Sequence, residues 1–307
     1  MNRNSPIFII GVDRSGTTLL NMMIDAHSKI AMPYESKFFT RYYLNRKSFG
    51  DFSEVETRRS LVRNILNEPS VRDWDIQVKE EDIDLSSCDT LENTINTIYS
   101  VYADSKGALW WGDKTPAYID NLHILNTMFP ECRFIHLVRD GRDVANSIIQ
   151  RWWGPDDFTT AIRSWDQRVS CARKMLAMLP AYRYMEIRFE DLVTKPAFEL
   201  QRICKFLKID YENGMLMSYG DRADTMVGNR IDGIHENLKS RPLVEHTYKW
   251  KKTLSPANQA IAYEIAGQTL KKMGYDTGIK HCRWKCFAEI LNRVKGSMAW
   301  RFRTRQR

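Results

Sequence analysis

Gly11-Val12-Asp13-Arg14-Ser15-Gly16-Thr17-Thr18 follows the apolar run Pro6-Ile7-Phe8-Ile9-Ile10 and precedes Leu19-Leu20-Asn21-Met22-Met23-Ile24. A short continuous apolar run ended by a glycine reads as a buried parallel strand entering a loop. The segment that Gly16 opens reads as a helix. Glycines permit a tight turn, successive backbone N–H groups converge on one point, and the helix dipole adds positive potential there. A plain strand-to-helix turn is the bland alternative. One arginine, one serine and two threonines at a dipole terminus favour an anion, of the phosphate or phosphosulfate class.

The spacing comes close to the nucleotide-triphosphatase loop, but Thr17 stands where that loop carries its phosphate-contacting lysine. An ATPase or kinase is therefore disfavoured. Arg14 supplies the missing charge from mid-loop, and its planar fork suits phosphate or sulfate oxygens. Thr17 and Thr18 supply hydroxyls and call for no magnesium.

Outward from this loop the same unit recurs. Arg133 to Val138 reads as a strand, with Asp140 to Ile149 as loop and helix. Arg183 to Ile187 is a third strand, followed by the Phe189-Glu190-Asp191-Leu192 turn and a helix from about Ala197 to Leu207. Alternation of this kind predicts an α/β fold: a P-loop-like open parallel sheet flanked by helices on both faces. Between the first two units, Glu35 to Asp120 interrupts the pattern, and Asn45 to Ser105 reads as helices that cap the mouth of the site. Both a packed insert and a mobile lid fit. The helix-like recurrence of Leu61, Ile65 and Leu66, and of Leu91, Ile95 and Ile98, favours packing. Asn213 to Leu243, rich in glycine, proline and polar residues, reads as a long loop around substrate or cofactor. Ser255-Pro256 then opens a helix through Met273 that Gly274 stops.

At 307 residues, with 43% hydrophobic and 27% charged residues, the chain has an ordinary globular composition. The six cysteines are scattered and no secretory signal precedes Pro6, which predicts reduced thiols and a cytoplasmic setting. His281, Cys282 and Cys286 lack the ligand count and spacing of a closed zinc site, so no metal is expected. The formal net charge is +8, and residues 281–307 hold eight Lys or Arg against the single acid Glu289. The body is therefore nearly neutral, which argues against specific nucleic-acid binding. The expected organisation is one domain over 1–280, with a helical insert and substrate-side segment over about 40–120, and a basic amphipathic extension over 281–307.

Two separate segments carry a family resemblance. Arg14-Ser15-Gly16-Thr17-Thr18-Leu19, continued by Asp25-Ala26-His27, resembles the 5'-phosphosulfate loop of the sulfotransferase family. The likeness is to the branch that contains bacterial and protein-tyrosine sulfotransferases. Phe134-Ile135-His136-Leu137-Val138-Arg139-Asp140-Gly141-Arg142-Asp143, followed by Ser147, is similar to that family's 3'-phosphate segment. Arg188 to Leu192, Phe206-Leu207, Trp250-Lys251 and Leu270 to Tyr275 extend the likeness discontinuously to Tyr275, with poor matching through the insert.

The resemblance implies a donor, 3'-phosphoadenosine-5'-phosphosulfate, and an acceptor hydroxyl. It places Arg14, Ser15, Gly16, Thr17 and Thr18 on the 5'-phosphosulfate and Arg139 and Ser147 on the 3'-phosphate. Arg142, among nearby acids, reads instead as a support of the loop. Glu35 keeps the spacing of that branch's catalytic glutamate, and Lys114 in Trp111-Gly112-Asp113-Lys114-Thr115-Pro116 corresponds to its donor-contacting lysine. Arg14 and Lys114 would then flank the developing charge. Structural alternatives are a Glu35–Lys37 ion pair, a Lys114–Asp113 pair, and surface roles for Arg139 and Ser147. His27 and His136 are rival bases. Direct in-line transfer follows, with no catalytic metal. The acceptor reading leans to a carbohydrate or glycolipid, although nine tryptophans and thirteen tyrosines are not by themselves a substrate signature. A kinase and a non-catalytic nucleotide- or glycan-binding module are the rival classes.

In the basic end, Trp284, Phe287, Leu291, Val294 and Met298 fall on one helical face among cations, with Gly296 interrupting it. Packing on the body is the simpler reading. Peripheral contact with an anionic membrane is the second, and contact with a protein or nucleic-acid partner is the third.

Overall fold

The strand β1 (Ile7–Ile10) is apolar without alternation because both of its faces are covered: Phe8 and Ile10 enter one half of the core, Ile7 and Ile9 the other. The structure, a computed structural model, describes residues 5–221 and 244–276. β1 is joined by β2 (Ile30–Ala31), β3 (Trp110–Asp113), β4 (Arg133–Val138) and β5 (Tyr184–Arg188). All pairings are parallel and the order is β2-β3-β1-β4-β5, with β1 registered on β4 from Ile7 opposite Arg133 to Ile10 opposite His136.

The helices are α1 (Thr17–Asp25), α2 (Phe39–Leu44), α3 (Val55–Leu66), α4 (Pro69–Arg72), α5 (Leu91–Ser105), α6 (Leu122–Met128), α7 (Gly141–Ile148), α8 (Phe158–Leu176), α9 (Phe189–Thr194) and α10 (Pro196–Leu207), with a later helix at Pro256–Lys272. Leu20 and Met23 of α1 and Leu200, Ile203 and Leu207 of α10 share the half-core that holds Ile135 and Leu137. Ile95 of α5, Val144 of α7, Trp165 of α8 and Ile261 of the last helix share the half that holds Phe134 and Val138. The expected α/β sheet flanked by helices is thus present.

Chain leaving β1 runs to the β2–β3 side, and chain leaving β4 runs to β5. The crevice beyond the C-terminal ends of β1 and β4 is therefore the topological switch point, where open α/β sheets place their ligands. The insert is packed: Leu61, Val62 and Ile65 of α3 and Leu91, Ile95 and Ile98 of α5 are buried in the same core as β1.

Some elements were not visible in the sequence pattern. β2 is two residues long, β3 carries a glycine and an aspartate, and α8 mixes its apolar stripe with many charges. β5 is displaced by one residue from the expected Arg183 to Ile187. The last helix follows its capping signal, since the Ser255 hydroxyl accepts from the Asn258 N–H at 3.2 Å and Gly274 adopts a left-handed φ of 73°. Of the expected loop 213–243, residues 222–243 lie outside the described ones, and its start forms a short helix, Gly214–Met217. The basic segment 281–307 also lies outside them.

Candidate active site

The loop between β1 and α1 passes close over β4. A Cβ on Gly11 would sit 2.5 Å from the Leu137 carbonyl oxygen, and one on Gly16 would sit 2.4 Å from the Phe189 ring. Gly16 also takes φ 93° as the residue before α1, so this position needs glycine for both space and conformation. Arg14 adopts φ 69°, an uncommon conformation for a residue with a Cβ and one that clusters at ligand sites. The Ser15 hydroxyl is buried without a hydrogen-bond partner, as fits a group that completes its bonding on an anion.

Arg14, Arg139 and Ser147 converge. Arg14 Nε donates to Ser147 Oγ at 3.2 Å, and Arg139 Nη1 donates to the Arg14 carbonyl at 3.1 Å. Arg139 Nη2 donates to the His246 carbonyl at 2.7 Å, and the guanidinium lies 4.7 Å from the Phe189 ring centroid. Its Nε is buried and unpartnered. Burial, then repulsion from Arg151 and Arg139, lowers the Arg14 pKa to about 10 against the weaker opposing pull of Asp13. Cations crowded in this way are relieved by an arriving polyanion. Asp13 is itself held by Arg168, whose Nη1 lies 3.0 Å from it while its Nε bonds Asp120 at 2.8 Å.

Arg151 was not singled out from the sequence. It stands just beyond α7, four residues after Ser147, and its buried Nε has no partner. Its one-turn spacing from Ser147 was the available signal.

On the other side of the loop lies the second cluster. Lys114, 2% exposed, ion-pairs with Glu35 Oε1 at 2.6 Å and donates to Thr18 Oγ1 at 3.2 Å. Lys37 Nζ lies 3.3 Å from Glu35 Oε2. Burial pushes the Glu35 carboxyl up, but Lys114 and then Lys37 outweigh it, so its pKa falls below the ordinary carboxylate value. Glu35 is therefore a paired carboxylate. The alternative Lys114–Asp113 pair is not the one formed: Asp113 Oδ2 accepts from the Ser36 N–H at 3.2 Å and the Tyr99 hydroxyl at 2.9 Å. Arg14 groups with Ser147 and Lys114 with Thr18, which puts the two cations at different parts of the same loop.

The remaining motifs brace these groups. Arg142 grips Asp140 through Nε at 2.9 Å and Nη2 at 2.7 Å, and stacks 3.5 Å from the Trp250 ring centroid. Glu190 accepts from the Asp140 N–H at 3.0 Å and from the Tyr275 hydroxyl at 2.8 Å. His27 accepts at Nδ1 from the Lys29 N–H at 3.0 Å, which leaves Nε2 to donate to the Asp210 carbonyl at 2.9 Å. His136 is fully buried in β4, with Nδ1 3.1 Å from Glu186. Both rings are engaged with scaffold groups. Among the described residues no group of three or more His, Cys, Asp or Glu side chains is arranged to hold a metal.

Residues 6–213 match the model of the Sulfotransferase family. The chain is 26% identical over 288 residues to Protein-tyrosine sulfotransferase A of Caenorhabditis elegans, covering 90% of this chain and 68% of that protein. It is 25% identical over 215 residues to Protein-tyrosine sulfotransferase 2 of Gallus gallus, covering 68% of this chain and 53% of that one. The fold is similar to that of the sulfotransferase domain from the curacin biosynthetic pathway, with a TM-score of 0.62 and 22% identity over 90% of this chain and 99% of that chain.

Proposed function

The chain belongs to the sulfotransferase family, and on that premise we propose that it moves a sulfuryl group from 3'-phosphoadenosine-5'-phosphosulfate to an acceptor hydroxyl, with Glu35 as base. The observation that carries this reading is that the loop of residues 11–18 is contacted by two clusters of complementary chemistry. Arg139 and Ser147, both in contact with Arg14 of the loop, can take a 3'-phosphate, and Lys114 joins Thr18 to a carboxylate. The buried, unpartnered Ser15 hydroxyl and the orphan Nε atoms of Arg139 and Arg151 fit a phosphorylated donor.

The chemistry follows from the pairing. The acceptor oxygen attacks sulfur as its proton passes to Glu35, and the bond from sulfur to the 5'-phosphate oxygen breaks. The bisphosphorylated nucleoside leaves with the bonding electrons, its charge met by Lys114 and the loop. A donor that draws Lys114 onto its phosphosulfate removes the strongest influence holding the Glu35 pKa down. The carboxylate becomes a better proton acceptor when the donor is in place.

The acceptor is proposed to be a hydroxyl on a carbohydrate or glycolipid. Trp152, 95% exposed, and Trp153, 42% exposed, follow Arg151 and offer apolar faces on which a sugar can stack. A tyrosine hydroxyl is the second reading, since the curated relatives are named as protein-tyrosine sulfotransferases. Peripheral membrane contact through residues 281–307 is proposed from their sequence. No helix among the described residues is long and apolar enough to cross a membrane.

Calorimetry tests the donor assignment. The 3',5'-bisphosphate product is expected to bind at least tenfold more tightly than its counterpart lacking the 3'-phosphate, and Arg139→Ala or Arg151→Ala should erase most of the difference. Equal affinity of the two nucleotides for the wild-type protein would reject the assignment.

A further inference from the structure

We infer that Asp113 is a positioning residue: resting on the reading of Glu35 as base, it holds the Glu35 loop at the reacting end of the site from beneath. Each backbone donor or acceptor must find a partner when it leaves secondary structure and is buried. In the stretch from Tyr34 to Phe39 five of these groups are met by side chains. Trp74 Nε1 donates to the Tyr34 carbonyl at 3.1 Å, and the Ser70 hydroxyl donates to the Ser36 carbonyl. The Ser36 N–H donates to Asp113 Oδ2 at 3.2 Å, the Lys37 N–H to Thr115 Oγ1 at 3.4 Å, and the Phe39 N–H to the Tyr118 hydroxyl at 3.0 Å. Ser36 Oγ and Tyr118 OH are 2.6 Å apart.

Asp113, Lys114 and Thr115 are consecutive at the end of β3, and all three reach this loop: the outer two hold its backbone, and Lys114 holds the Glu35 carboxylate. Lys37 adopts φ 62°, a conformation that persists in a non-glycine residue only where the surroundings over-determine it. The cradle supplies that constraint. Asp113 sits at its centre because one carboxylate oxygen takes both the Ser36 N–H and the Tyr99 hydroxyl, which ties the loop to α5 of the insert.

An ionised Asp113 accepts both bonds strongly; protonation weakens them and loosens the loop. Burial pushes this carboxyl up to about 6. The groups around it are Tyr99 from α5, Tyr118 from the turn after β3, Ser36 and its neighbours Glu35 and Lys37 from the loop, and Lys114 and Thr115 from its own strand end. Tyr99 and Tyr118 are held well above the ordinary phenol range by burial, and Glu35 is held below the ordinary carboxylate range against its burial by Lys114 and Lys37. A loss of transfer as the pH falls through about 6 is therefore expected from Asp113 and should vanish in Asp113→Asn; a limb that persists in that variant belongs to Glu35, whose carboxyl is no longer held down once the donor has drawn Lys114 away.

The test uses the full chain in single turnover, loaded with labelled donor, with water and phenol, both protonated across the pH range used, as probe acceptors. Asp113→Asn is expected to slow transfer about 10- to 100-fold, the scale of a small misplacement of a reacting group. It should leave the affinity for the 3',5'-bisphosphate within about threefold and abolish the acid limb near pH 6. Tyr99→Phe, which removes one donor to the carboxylate, should give a smaller loss and shift that limb; it carries the test if Asp113→Asn does not fold. Wild-type rate and pH profile in either folded variant, with Glu35→Gln inactive, overturn this inference and leave the Glu35 reading intact. Full activity of Glu35→Gln overturns that reading itself.

Discussion

Replacing Lys114 with methionine removes the ammonium that joins Glu35 Oε1 at 2.6 Å to Thr18 Oγ1 at 3.2 Å while keeping the stem's apolar bulk. Breaking a buried ion pair by deleting one partner costs about 3–5 kcal/mol, because the other charge is stranded. Here the loss is reduced. The Glu35 side chain is 16% exposed and keeps Lys37 at 3.3 Å, so about 2–3 kcal/mol is the expected cost of Lys114→Met. Glu35→Gln should cost about 1–2 kcal/mol, since the ammonium retains Thr18 and gains the amide oxygen. With both charges gone, the second substitution adds little, which gives a coupling of about 2 kcal/mol. Urea denaturation of the four proteins at pH 7 measures it, and repetition in high salt separates a buried pair from a screened surface one. A coupling under about 0.5 kcal/mol, or one abolished by salt, would refute the claim that Lys114 holds Glu35 in a desolvated pair. It would also remove the argument that donor binding activates the base.

The turn at residues 11–18 was legible because its chemistry is local. Glycines at 11 and 16 and an arginine between them fix a turn and a charge within one strand-loop-helix unit. β1 and β4 were legible for a similar reason: strands covered on both faces are apolar throughout, and the run marks them without any knowledge of their neighbours. The surroundings of Glu35 were not. Glu35 and Lys114 are 79 residues apart, Ser36 and Tyr118 are 82 apart, and the spacing of such partners in the chain carries no trace of their meeting. Glu35 and Lys114 entered through family resemblance rather than residue pattern. β2 and β3, which deliver both ends of this cradle, escaped because one has two residues and the other ends in the buried charge that the cradle needs.

The basic segment 281–307 yields one expectation: the intact chain should float with anionic vesicles at low salt, and a chain ending at Lys280 should not. Failure of the intact, folded chain to float would end the membrane proposal. The cradle yields another, in the pH dependence of stability. The Asp113 carboxyl is raised from 3.8 to about 6 by burial, so the folded state favours its neutral form; its contribution is fully present below pH 3.8 and is lost as the pH rises through about 6. Above that, ionisation opposes folding by on the order of 3 kcal/mol, whereas Asp113→Asn carries no such titration. The stability of Asp113→Asn relative to wild type, measured by denaturant unfolding, should therefore climb from about pH 4 to pH 7, and parallel curves would refute the raised pKa. If the variant gains stability over the same pH range in which it loses transfer, the carboxylate is retained for holding Glu35 in place at a cost to the fold.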